Sequence, residues 1–182
     1  ADINPTYLEV MFESTCNFKC TYCQPEISSR IMSEIEDWGP YKLSQYNFRD
    51  LKDIEARGRM PVPRNEHNPY VEAFWKWWPD LYKELHTFRI TGGEPLLSDN
   101  TWKVFDYIKE HPRTELMFAL NTNMGAPAKL NEQLIDALKA IQQNVQWTQI
   151  FTSCEATDEH AEYIRFGMNY GTFSKNCSDL LI

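Results

Sequence analysis

The segment Cys16-Asn-Phe-Lys-Cys20-Thr-Tyr-Cys23 crowds three thiols into a CxxxCxxC spacing. Thiolates on so short a loop converge readily on one inorganic site. Structural zinc is four-coordinate and wants a fourth ligand, usually Cys or His at short spacing, yet the nearest histidine in the sequence is His67. An ordinary electron-transfer cluster takes four cysteines. The other two, Cys154 and Cys177, lie far downstream. Three cysteines on a four-iron cubane leave one iron without a protein ligand, and that open iron is the chemical point of the arrangement. A structural zinc protein, with its fourth ligand supplied from Cys154 or Cys177, is the competing reading.

The rest of the composition narrows the field. Five cysteines, an odd number with three of them clustered, make a poor disulfide framework. The chain has 182 residues, 42% of them hydrophobic and 14% aromatic, enough to build a sizeable core. Its formal net charge is -8 and it carries no run of Lys or Arg that would track a phosphate backbone. Nucleic acid is therefore not an expected partner. No apolar stretch approaches the about 20 residues that span a bilayer, and no basic segment precedes an apolar one at the start. The expectation is a cytoplasmic protein with no membrane partner. The sequence begins at Ala1 without an initiator Met and ends on Leu180-Leu181-Ile182, which suggests a piece of something longer.

The elements that must position the cysteines follow from periodicity. Residues 6–13 put Leu8, Val10 and Phe12 on one face and Glu9, Met11 and Glu13 on the other, as a strand does. Residues 86–91, 115–121 and 147–153 read as three further strands. A helical signal follows each of these. Ser98 or Asp99 would cap a helix carrying Trp102, Phe105 and Ile108 that ends before Pro112. Leu130, Leu134, Ile135, Leu138 and Ile141 mark the next helix, Thr157 with Asp158 and Glu159 starts a short one, and Phe173, Cys177, Leu180 and Leu181 mark another. Strands alternating with helices imply an α/β fold with right-handed crossovers and a parallel sheet, the four strands lying in sequence order. A closed eightfold barrel takes about 250 residues, so four βα units predict a partial TIM-like barrel. One domain over 1–182 is expected, with an insertion at about 25–85 that Pro61, Pro63 and Pro69 break and a helix over 70–85 closes. Phe74, Trp75, Trp77 and Trp78 in that helix read as packing, and Cys177 as a small hydrophobe on an apolar face. Glu9, Glu13 and Arg89 lie on the strand faces opposite the apolar ones, where they would point into a polar lumen and reach substrate.

The loop CNFKCTYC, with Tyr22 immediately before its third cysteine, resembles the cluster loop of radical S-adenosylmethionine (radical SAM) enzymes. Thr91-Gly92-Gly93-Glu94-Pro95, after the second long strand, resembles the GGEP segment of that family in the expected order. Asn121-Thr122-Asn123 resembles the family's Thr-Asn-Gly in part, because Met124 intervenes before Gly125. Thr152-Ser153-Cys154-Glu155 is similar to a Ser-x-Asp strand end, and Tyr163-Ile164-Arg165-Phe166-Gly167 to an Ile-Arg-Gly helix segment. Residues 23–41 and the aromatic run before GGEP are similar to a subgroup with a C-terminal SPASM or twitch auxiliary-cluster region, which this sequence lacks.

The resemblance implies a [4Fe-4S] cluster on Cys16, Cys20 and Cys23, with S-adenosyl-L-methionine on the open iron. Reductive cleavage would give a 5′-deoxyadenosyl radical that abstracts hydrogen from a small-molecule, sugar or peptide substrate, with electrons from a donor such as flavodoxin or ferredoxin. It places Tyr22 on the adenine side and Asn123 among the cofactor contacts. Gly92, Gly93 and Glu94 would hold the methionyl amino group, Ser153 and Glu155 would face the ribose, and Arg165 would pair with the methionyl carboxylate. It also implies a six-unit core, of which four units are present. Each assignment outside the cysteines has a plainer alternative: Tyr22 packs, Ser153 satisfies a strand end, Glu94 caps the following helix, Arg165 is a solvated helix residue. A truncated cluster-binding protein without turnover is the alternative for the whole.

Overall fold

Period-two alternation builds the sheet. The computed structural model describes residues 3–42, 44 and 50–181. Four strands, β1 (Tyr7–Met11), β3 (Thr87–Thr91), β4 (Arg113–Asn121) and β5 (Val145–Phe151), pair in parallel in the order β1-β3-β4-β5. Between β1 and β3 run a short β2 (Lys19–Cys20) and three helices, α1 (Ser29–Trp38), α2 (Leu51–Ala56) and α3 (Pro69–Leu81). A 3₁₀ turn (Pro95–Leu97) and α4 (Asp99–Glu110) follow β3, and α5 (Ala128–Ile141) follows β4. The chain continues after β5 through α6 (Asp158–Ile164), β6 (Arg165–Phe166) and α7 (Tyr170–Asp179). Sequential parallel pairing with helical crossovers is the partial-barrel arrangement that the alternation implied.

One face of the sheet carries the core. Phe88 and Ile90 of β3 and Leu116, Phe118 and Leu120 of β4 are buried, with Leu8 and Val10 of β1 packed beside them. Helix α3 closes this face with an aromatic stack in which the Trp78 and Phe88 ring centroids lie 4.6 Å apart and those of Phe12 and Phe74 5.0 Å apart. Offset and edge-on rings of this kind add to the area they bury. Phe74 and Trp78 therefore pack as expected. Trp77 does not: it is exposed on the outer side of α3, its indole N–H donating to Asn4 Oδ1 at 2.9 Å. Helix α4 starts where its cap predicted, with Ser98 Oγ accepting from the Asn100 amide.

Three expectations need correction. The fourth strand ends at Phe151, so Ser153 and Glu155 stand in the loop beyond it. Arg165 is not helical; α6 stops at Ile164, and Arg165 pairs antiparallel with Cys20 in a two-stranded ribbon, β2-β6. Leu181 is exposed beyond the end of α7 rather than on its apolar face. Part of the insertion, residues 43 and 45–49, and both chain termini lie outside the described residues. Among the described residues no helix is long and apolar enough to cross a membrane.

Candidate functional site

Parallel strands gather the loops that follow them at one end of the sheet, and here those loops enclose a single cleft. Cys16, Cys20, Tyr22 and Cys23 line it from the loop after β1, Gly92 and Gly93 from the turn after β3, Asn123 from the end of β4, and Ser153 and Arg165 from beyond β5. Residues separated by more than a hundred positions thus meet as the strand-end argument required.

The cysteine loop is fixed at both ends and in the middle. The Cys16 amide donates to Ser29 Oγ at 3.1 Å, at the start of α1. Asn17 and Asn123 form an amide clasp: Asn123 Nδ2 donates to Asn17 Oδ1 at 2.8 Å, Asn17 Nδ2 to the Gly125 carbonyl at 3.0 Å, and the Gly125 amide to Asn123 Oδ1 at 2.8 Å. Phe18 is buried between these segments and lies so close to Gly125 that a Cβ there would stand 2.0 Å from its ring. Cys20 is held by the β2-β6 ribbon. The GGEP turn is zipped to the same loop, the Glu94 amide donating to the Thr15 carbonyl at 2.7 Å.

Two acidic residues expected in the cleft face elsewhere. The Glu94 carboxylate is only 2% exposed; Oε1 accepts from the Leu96 amide at 3.0 Å and Thr122 Oγ1 at 2.8 Å, and Oε2 from the Asn123 amide at 2.7 Å. It caps the 3₁₀ turn and ties β3 to β4, so its negative charge is spent on protein donors and not held out for a methionyl ammonium. Burial pushes its carboxyl up, against the pull of those donors. Glu155 accepts both Arg165 Nε at 2.8 Å and Arg165 Nη2 at 2.9 Å, a bidentate pair, and also the Tyr22 hydroxyl at 2.8 Å. The ring of Tyr22 lies 5.6 Å from the Arg165 guanidinium carbon. Glu155 is therefore the partner that orients Arg165 and Tyr22, and Arg165, 4% exposed, is not a solvated residue.

The hydrogen bonds from Arg165 hold Glu155 down at about 2, against some burial. A carboxyl depressed in the folded state adds stability that is whole above its ordinary value near 4.5 and is lost as pH falls through about 2. Salt screening reduces the size of the effect, since Glu155 is a third exposed. Glu155→Gln is expected to flatten the fall in melting temperature between those two pH values relative to the parent chain. Superimposable pH profiles would show that the pair does not form.

Burial raises the Cys16 and Cys20 thiols, although the Arg165 charge opposes the shift at Cys20. Thiols kept protonated in this way are poor free nucleophiles; a metal centre displaces the proton when it binds. The Phe18 amide, at 3.5 Å, and Asn123 Nδ2, at 3.9 Å, both point at Cys16 Sγ, as donors around a metal-bound sulfur do. Among the described residues no three His, Cys, Asp or Glu side chains are drawn together around a single point that would hold one ion. Cys154 is exposed with its thiol on the Ala156 carbonyl, and Cys177 packs against the small cluster around Phe18 and Phe173, so neither lines the cleft. Phe18, Asn17 and the β2-β6 ribbon had no sequence signal of their own; an alternating run of two residues is too short to register.

Fold and cleft together define an α/β partial barrel with a cysteine-lined site at the C-terminal end of its strands. No family model matches the chain, and no solved structure matches it. Among curated proteins it is similar to the GTP 3′,8-cyclase of Syntrophomonas wolfei, 26% identical over 131 residues covering 72% of this chain and 31% of the relative. It is likewise similar to the GTP 3′,8-cyclase of Aliarcobacter butzleri, 29% identical over 135 residues covering 72% of this chain and 31% of the relative. The chain spans about a third of the length of these curated relatives. GTP 3′,8-cyclases are radical SAM enzymes, and the likeness supports that class for this chain at the level of the family.

Proposed function

We propose that this chain is the cluster- and cofactor-binding part of a radical SAM enzyme. The observation that carries the reading is the meeting, in one cleft, of the three cysteines with the Gly92-Gly93 turn and the strand-end residues Asn123 and Ser153. The donor set, soft thiolates from one loop with no fourth cysteine at the cleft, suits a [4Fe-4S] cluster. The cluster with S-adenosylmethionine supplies reductive cleavage of the sulfonium for hydrogen abstraction. The chain supplies the surroundings. Cys16, Cys20 and Cys23 ligate; the Gly92-Gly93 backbone lies against the methionyl group; Arg165, held by Glu155, meets its carboxylate; Ser153 faces the ribose; and Tyr22 flanks the adenine. Asn123 clasps the cysteine loop from the cofactor side. An electron donor such as flavodoxin or ferredoxin and a small-molecule, sugar or peptide substrate complete the scheme. The cyclisation of GTP named for the two relatives is one candidate reaction within it.

The second reading is a cluster-binding chain that does not turn over. Anaerobic reconstitution is expected to give about four iron and four sulfide per chain. Stoichiometric zinc without sulfide would overturn the cluster. With the cluster in place, release of 5′-deoxyadenosine from S-adenosylmethionine under a strong reductant supports the enzyme, and its absence leaves the second reading.

A further inference from the structure

Met124, the residue that sets Asn121-Thr122-Asn123 apart from Thr-Asn-Gly, stands in the left-handed region with φ at 54°. That conformation strains any side chain but glycine. It turns the chain back on itself, so that the Gly125 amide donates to Asn123 Oδ1 at 2.8 Å, an Asx turn. On its other side the Gly125 carbonyl accepts from Asn17 Nδ2 at 3.0 Å. The main chain of Asn123 is held as firmly, since its amide donates to the buried Glu94 carboxylate at 2.7 Å.

These two peptide groups of Gly125 fix the orientation of both side-chain amides. A backbone N–H only donates, so the Asn123 oxygen must face it; a carbonyl only accepts, so the Asn17 nitrogen must face it. Asn123 Nδ2 is thereby turned toward Asn17 Oδ1, 2.8 Å away. An amide nitrogen carries two hydrogens. One is spent on Asn17, and the other is directed at Cys16 Sγ, 3.9 Å from Nδ2. The Phe18 amide aims at the same sulfur from 3.5 Å, but it belongs to the cysteine loop itself, whereas Asn123 reaches that sulfur from the end of β4. A clasp needed only to hold the loop has no use for a donor set against a ligand sulfur.

We propose that the Asn123 side chain tunes the cluster through Cys16: its N–H on the ligand sulfur raises the reduction potential, which brings the cluster within reach of a donor of the flavodoxin or ferredoxin class. This rests on the reading of the cleft given above. Reduction adds negative charge that extends onto the ligand sulfurs, and a hydrogen bond donated to such a sulfur stabilises the more negative state. Asn123 acts through Cys16 and is in this a positioning residue.

The test measures the midpoint potential of the reconstituted cluster, without S-adenosylmethionine, by electron paramagnetic resonance along a reductive titration. Asn123→Ser is the variant, because a serine hydroxyl can still accept the Gly125 N–H in the turn but is too short to reach the sulfur. Its reduction equilibrium is expected to shift about tenfold toward the oxidised form, a fall of about 59 mV for one electron. Asn17→Ala breaks the clasp and leaves the Asn123 N–H on the sulfur. It is expected to lower iron and sulfide content, while the clusters that do form keep the parent potential. A clasp that acts only as a support would move content in both variants and the potential in neither, or the potential equally in both; either result overturns the proposal. If Asn123→Ser takes up no cluster, the parent chain labelled with nitrogen-15 in its asparagine side chains decides: a hyperfine coupling of the reduced cluster to that label supports the contact, and its absence overturns it. Iron and sulfide are assayed on the same samples: a parent chain without cluster defeats the functional reading and this inference with it, whereas a loaded parent chain whose potential Asn123→Ser does not move defeats the inference alone.

Discussion

Gly93→Ala is expected to abolish cluster incorporation, although it adds a single methyl group. A Cβ at Gly93 would stand 2.2 Å from the Thr15 carbonyl oxygen, 2.6 Å from that of Ser14 and 2.7 Å from the Thr15 carbonyl carbon. All three are main-chain atoms, so no rotamer change relieves the contact. They belong to the two residues that lead into Cys16. The same two segments are also zipped together by the Glu94 amide on the Thr15 carbonyl, so the turn cannot retreat without surrendering that bond. Sequence reasoning alone puts a bulky residue at Gly93 in conflict with the bound cofactor while the cluster stays. The structure moves the conflict one step inward, onto the loop that carries the cysteines. Iron and sulfide per folded chain measure the effect, with far-ultraviolet circular dichroism as the check on folding. Gly171→Ala is the control, since its nearest neighbour is the Asn169 side chain at 3.4 Å, an ordinary contact. A Gly93→Ala chain that takes up a full cluster would show that the turn does not position the loop.

The contrast at Gly93 marks what the sequence could and could not convey. The four parallel strands were legible because each alternates over five or more residues, and their order followed from the helical crossovers between them. The shared cleft was legible for the same reason: cysteine loop, GGEP and the later strand ends all follow strands that point one way. Partnerships between side chains were not. Period and spacing say on which face a residue lies, but they do not say whether a carboxylate there meets a ligand or an amide. Glu94 and Glu155 were both read as contacts of the bound molecule, and both are instead engaged by the protein, one by three donors and the other by Arg165 and Tyr22. Arg165 was read as helical because Tyr163-Ile164-Arg165-Phe166-Gly167 resembles an Ile-Arg-Gly helix segment. Its pairing with Cys20, a long-range contact, could not be read from that segment.

Glu94→Ala is expected to be the most destabilising single change at the cleft that leaves every cysteine in place. It strips an acceptor from the Leu96 amide, the Thr122 hydroxyl and the Asn123 amide at once, in a setting too buried for water to replace it. A buried donor left without a partner costs about 1–3 kcal/mol, so the loss of all three comes to about 3 kcal/mol or more. Glu94→Gln keeps the shape and one carbonyl oxygen. That oxygen can serve the Leu96 and Thr122 donors together, as Oε1 does in the parent chain, but the amide nitrogen then faces the Asn123 N–H, donor against donor. The stabilities should therefore fall in the order parent, Gln, Ala, read from the midpoint of urea unfolding at constant slope. Asn123 belongs to the clasp on Asn17, so both variants are also expected to loosen the cysteine loop and lower cluster content in the same order. A side chain whose role is to meet the methionyl ammonium directly behaves otherwise: its removal leaves unfolding and cluster content unchanged and weakens only S-adenosylmethionine binding. That outcome would return Glu94 to the cofactor and remove it from the frame that joins β3 to β4.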